Sequence, residues 1–228
     1  MNFFIVLLCT ILGCFLLKDV IKKAPWAFYI MALLLDILFI SGALFSLPKP
    51  VWSVLFLLVQ KCMLPLALFV IVMYIGVFPV SSKVRQALQP IRGELSILAW
   101  LLCLGHMVVY LMSYAPRVLS GAIASMSVMT ALFIAIVLFA LLAVLGVTSF
   151  KTIKRSMNPL AWKKVQLLAY PIFGLVYVHL LLRLLPSALG GGQAALTSVI
   201  VYTIVFGLYF VLRVNRFYQD KKTNLAKS

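Results

Sequence analysis

The chain has 228 residues, of which 65% are hydrophobic and 11% charged, and it sets 20 Lys and Arg against 4 Asp and Glu for a formal net charge of +16. A soluble domain averages about 45–50% apolar and about 25% charged residues, so that class is excluded, as is a disordered chain, which needs low hydrophobicity. A basic excess can also mark a nucleic-acid binder. The positions of the cations decide between that and a membrane protein.

A helix needs roughly 20 mostly apolar residues to cross a hydrocarbon core about 30 Å thick. In chain order, seven stretches meet this: 2–17, 26–47, 51–78, 95–115, 122–147, 167–185 and 194–212. No polar segment between them is long enough to fold alone. Backbone groups in lipid must bond within their own helix, so the expected fold is all-α, an integral membrane helical bundle with short loops.

The cations follow these spans. Lys18, Lys22 and Lys23 lie in the first loop, and Lys83, Arg85 and Arg92 in the third. Lys151, Lys154, Arg155, Lys163 and Lys164 lie in the fifth, and Arg213, Arg216, Lys221, Lys222 and Lys227 in the tail. The alternate loops hold only Lys49 and Arg117. Short cytoplasmic loops are enriched in Lys and Arg. The alternation predicts N-terminus out and C-terminus in, in a multi-pass protein of the inner or plasma membrane. It leaves no separate patch for nucleic acid, so lipid is the expected surrounding. The first apolar run is followed by its cations, whereas a signal peptide has them in front, which favours a retained helix.

Few ionisable side chains fall inside the spans: Asp36, Lys61, His106, His179 and Arg183. Such residues are functional candidates by default. Asp36 precedes Pro48 by 12 residues and Lys61 follows it by 13. In a straight antiparallel hairpin both sit about 18–20 Å from the turn, which predicts an ion pair or a site that handles protons or quinone. Cys9, Cys14, Cys62 and Cys103 all lie in apolar runs without a paired motif, and read as small buried hydrophobes.

The two histidines are the only ones in the chain. His106 lies 12 residues beyond Glu94, and His179 lies 15 beyond Lys164, on spans running in the same direction. Their rise places them about 18 and 22 Å from the inner face, at comparable depth. Imidazoles so placed can take an iron from both faces of a haem, whose macrocycle supplies the other four nitrogens. Two hydrogen-bonded core histidines are the other reading. Arg183 is four residues beyond His179 on the same helix face, where its fork could pair with a haem propionate or reach the outer headgroups.

The run Ile91-Arg92-Gly93-Glu94-Leu95, with His106-Met107-Val108-Val109-Tyr110 after it, resembles one helix of the ferric-reductase-like transmembrane domains. The run Ser149-Phe150-Lys151, Lys154-Arg155, Trp162 to Tyr170 and then His179 resembles their later segment. The similarity spans residues 50–185 and within the family points to the MsrQ/YedZ-type haem-binding membrane subunits. It implies a single transmembrane domain over 1–228, a haem core at 50–185 and extra helices at 2–47 and 194–212. It also implies that His106 and His179 are haem ligands. The inner histidines common in the family are replaced by Gln166 on the later helix and by Gly93 and Arg92 on the earlier, which implies one haem b in the outer half.

The expected function is a b-type cytochrome membrane subunit, the electron-transfer part of an oxidoreductase. Electrons would come from quinol or a partner reductase and leave to an extracytoplasmic acceptor. No GxGxxG turn or other nucleotide cradle occurs, and Gly190-Gly191-Gly192 does not join a strand to a helix. Quinone and flavin are further candidate cofactors. The basic segment Lys151–Lys164 with Trp162 either docks a cytosolic reductase or only signals orientation. A haem-free assembly subunit and a transporter-like protein are the alternatives.

Overall fold

The computed structural model describes residues 3–44, 47–122 and 125–225, all built from helices and turns. Residues 2, 45–46 and 123–124 of the expected spans, and Lys227 of the tail, lie outside the described residues. Helix α1 covers Phe3–Lys23 and α2 Pro25–Leu44; Pro25 has no N–H to lose and starts the second helix one residue after the first ends. Helix α3 (Lys49–Leu55) runs into a π-helical turn, Phe56–Gln60, and α4 resumes at Met63–Ile75. A short α5 (Lys83–Leu88) leads into α6 (Arg92–Leu119), followed by α7 (Met126–Ser149). Two short helices, α8 (Lys151–Ser156) and α9 (Pro159–Gln166), precede α10 (Ala169–Leu189) and α11 (Gln193–Leu225). At the start of α9 the Asn158 side chain accepts from the N–H groups of Leu160 and Ala161, with Pro159 in the first helical position.

Among the described residues, six helical segments are long and apolar enough to cross a membrane, and a bent pair makes a seventh. Large apolar side chains such as Leu16, Ile37, Phe133, Ile204 and Phe210 are exposed on the outside of the bundle, where a soluble protein would bury them. The chain is therefore a multi-pass membrane protein whose outer surface meets lipid.

The third span is not the straight helix that its composition suggests. Lys49–Gln60 and Met63–Ile75 are bent by 41° at Lys61 and Cys62. Pro65 lacks the N–H that would bond back to Lys61, and the π-helical turn before the break absorbs the mismatch. The last helix also runs further than its apolar run, reaching Leu225, and its basic end carries an Arg216–Asp220 pair at 2.9 Å.

The main core joins α1, α4, α6, α10 and α11. Phe173 stacks on Phe206 at 4.3 Å between ring centres, and Phe69 meets Phe173 edge-on at 5.5 Å. Helix α6 is central, with Leu95, Ile97, Leu98, Leu101, Leu102 and Gly105 all buried; none of its residues beyond Gly105 is. Two glycines allow neighbours to come close. A Cβ on Gly105 would lie 2.5 Å from Asp36 Oδ1 on α2, and one on Gly146 would lie 2.4 Å from the Trp100 ring. Small residues at such crossings are how membrane helices gain packing when the solvent is itself apolar.

Candidate functional site

Asp36 and Lys61 do not form the ion pair expected from their offsets. Asp36 is 4% exposed and accepts from the Gly105 backbone N–H through Oδ2 at 3.1 Å. Lys61 is exposed, its Nζ 5.5 Å from the centre of the Phe56 ring, and no ion pair joins the two among the described residues. The depth argument assumed two straight helices packed on each other. The break at Cys62 turns Lys61 outward, and α2 packs chiefly against α6 instead.

The same break serves His106. Its Nδ1 donates to the Gln60 carbonyl at 2.5 Å, one of the acceptors that a helix end leaves over. His179 on α10 is held in the same way: its Nδ1 donates to the Ala131 carbonyl of α7 at 3.1 Å. A carbonyl only accepts, so both imidazoles carry the proton on Nδ1 when neutral, and each Nε2 keeps its lone pair. Orientation of a ring through Nδ1 is the common support for a histidine that binds metal through Nε2. Both are half-buried, on helices that flank α7.

A ladder of aromatic rings leads away from His106 along α6. Tyr110 lies 4.7 Å from His106 between ring centres, and Tyr114 stacks on Tyr110 at 6.0 Å. Arg183 closes the ladder from α10: its Nη2 donates to Tyr114 Oη at 3.2 Å, and its guanidinium lies 5.9 Å from that ring centre. Arg117 faces the same ring at 5.6 Å. The three residues predicted for the site, His106, His179 and Arg183, thus lie in one neighbourhood, where Arg183 is exposed and free to reach an anionic group. The aromatic ladder was not expected, although the spacing of His106, Tyr110 and Tyr114 is legible as one helix face.

Comparison with known proteins adds little chemistry. No family model and no solved structure matches the chain. A stretch of 152 residues is 39% identical to an uncharacterised protein of Treponema pallidum (strain Nichols), covering 66% of this chain and 42% of that protein. The chain spans about two fifths of that relative's length.

Below the histidines, toward the basic end, lies a cavity of about 530 Å³. Its lining reaches Cys103 and Val176, each three residues short of a histidine, and includes Gly93 and Gln166, the positions where the resemblance expects inner ligands. A side chain at Gly93 would meet open space. Polar groups around it are largely paired. Glu94 binds Lys151 Nζ at 2.8 Å, with side chains 7% and 68% exposed, and Arg92 Nε donates to the Val72 carbonyl at 3.1 Å. Gln166 Nε2 donates to Thr148 Oγ1 at 3.1 Å, and the Trp162 indole N–H donates to the Thr148 carbonyl at 2.9 Å under Lys154.

The cysteines are not equivalent small hydrophobes. Cys9 is exposed and Cys14 buried, but Cys62 and Cys103 bring their sulfurs to 3.8 Å on the cavity wall, 41 residues apart in sequence. Among the described residues no three His, Cys, Asp or Glu side chains converge as a metal cage. A haem needs only two axial ligands, so the histidine pair stands apart from that test.

Proposed function

We propose that the chain is the haem-b subunit of an electron-transfer complex, with His106 and His179 as the axial ligands of one haem. The observation that carries this reading is the shared pose of the two imidazoles: each spends Nδ1 on a backbone carbonyl and keeps Nε2 for something else. The donor set fits haem rather than a bare ion, since only two ligands are offered. Arg183 would hold a propionate, and its bond to Tyr114 keeps the guanidinium between α6 and α10. When bound, haem b supplies a one-electron iron couple; the chain sets its potential through imidazole orientation and burial.

In this reading the basic loops face the cytoplasm, and the protein sits in the inner or plasma membrane. Electrons enter from quinol or from an acidic reductase docked on Lys151–Lys164, and leave to an extracytoplasmic acceptor. A transporter-like protein is the second reading: Asp36 Oδ2 accepts from the Gly105 amide while its Oδ1 is buried without a partner, and Lys61 is exposed. The test is spectroscopic. Protein purified from a haem-replete host should show a reduced b-type band and bind one haem per chain by pyridine haemochrome assay. His106→Ala and His179→Ala should each abolish both; a wild-type spectrum from either variant overturns the ligand assignment. Absence of haem from the unaltered protein would favour a structural or assembly subunit.

A further inference from the structure

The haem reading leaves the cavity and the two cysteines on its wall without a role. Cys62 and Cys103 come from different spans, yet their sulfurs lie 3.8 Å apart. A disulfide needs about 2.05 Å, so a change in side-chain rotamer with an approach of about 1.8 Å would close the bond. Cys62 is also the one residue other than glycine with a left-handed backbone among those described, at φ 54°. An L-residue adopts that conformation only where its surroundings enforce it, and such positions gather at functional sites. Here it ends the π-helical turn and sets the thiol against α6.

The adjoining space has the size of a ligand site, about 530 Å³, where sites for small molecules run to about 300–1,000 Å³. Phe69 and Leu142 give it apolar walls, suited to a flat ring entering from lipid. Trp100 also lines it, and the Trp100 indole N–H is buried without a partner. A buried donor left over in this way is costly unless something accepts from it. A quinone supplies both requirements, an apolar ring and carbonyl oxygens that accept.

We propose that Cys62 and Cys103 are a redox-active dithiol that exchanges electrons with a quinone held in this cavity. The step balances as two thiols and one quinone giving one disulfide and one quinol. The Sγ–Sγ bond forms, both S–H bonds break, and two electrons and two protons pass to the quinone oxygens, in the direction set by the far lower potential of the dithiol couple. The disulfide would tie the broken span to α6 three residues from His106, and so couple the oxidation state of the cavity to the histidine layer.

The full chain in phospholipid nanodiscs, treated with decylubiquinone or its quinol, tests this by thiol alkylation and peptide mass mapping. Its ring positions are all substituted, so it does not add to thiols. Oxidised quinone should protect Cys62 and Cys103 together through a disulfide between them, the quinol should leave both open to alkylation, and Cys62→Ser should leave Cys103 reactive throughout. Trp100→Phe, which keeps the ring and removes the N–H, should slow the exchange about tenfold, the share of one well-placed hydrogen bond. Thiols that stay reactive under quinone, a bridge through Cys9 or Cys14, or protection of Cys103 in Cys62→Ser would overturn the proposal; an unchanged rate in Trp100→Phe would overturn the cavity as the quinone's seat. The readout does not involve iron. Crosslinking in a protein that holds no haem would sink the haem reading and leave this one standing.

Discussion

Gly105 divides the central helix into two regions that treat polar groups differently. Toward the basic end, α6 is buried on most sides, and apart from the Trp100 indole N–H the polar groups near it answer one another: Glu94 with Lys151, Arg92 with the Val72 carbonyl, and Gln166 and Trp162 with Thr148. Beyond Gly105 no α6 residue is buried, and the polar groups are half-used. Among the described residues each histidine spends one ring nitrogen on a carbonyl and retains the other, and Arg183 donates to Tyr114. A packed region can afford a cavity because its walls are held on all sides. A sparse region whose imidazoles each keep one ring nitrogen has capacity to spare for a ligand. The difference separates a packed region that encloses a cavity from a sparse one whose polar groups keep free positions.

Several substitutions press on that difference. On the proposed haem reading the largest effect belongs to the histidines: loss of either should abolish haem binding, read as disappearance of the reduced band. Next is the converse change. Gly93→His together with Gln166→His puts two imidazoles on the cavity wall, where Gly93 has open space before it. Haem per chain should rise from one to two by pyridine haemochrome; an unchanged ratio would mean that the cavity is shaped for something other than a macrocycle.

A smaller effect is expected where the two regions meet. Gly105→Ala drives a methyl into the Asp36 carboxylate and Val59. It should cost about 1–3 kcal/mol, the usual penalty of overpacking, read as a fall in Tm in detergent with a shift in the His106 environment. The Glu94–Lys151 pair should respond unequally. Lys151→Ala strands a buried carboxylate and should cost about 1–3 kcal/mol. Glu94→Ala leaves a lysine already in solvent and should cost less. Lys61→Ala should be nearly silent, within about 0.5 kcal/mol, because its charge lies outside the bundle. A large loss there would restore the ion pair that the structure does not contain.

Most of the architecture was legible in the sequence because lipid imposes a strict length and polarity on any helix that crosses it. The six unbroken spans fall on their apolar runs. The break at Cys62 is announced by Pro65 and by the polar triplet Gln60-Lys61-Cys62, but composition alone averages over them. The tail past Leu212 is helical because lysine, arginine and glutamine are good helix formers once a helix is started, which hydropathy does not register.

For the candidate site, the sequence determined the inventory: two histidines in so apolar a chain, an arginine one turn from the second, and no inner histidine at Gly93 or Gln166. Rise per residue gives an expected depth, and on that count His106 and His179 fall at comparable levels. Tertiary structure decided direction and partnership, which depend on helix rotation and on where a span breaks. It gave the Gln60 and Ala131 carbonyls to the two imidazoles, sent Lys61 to the surface, turned Asp36 to a backbone amide, and set Cys62 against Cys103. A contact across 41 residues is fixed by how two helix faces pack, and that information is distributed over every neighbour of the pair.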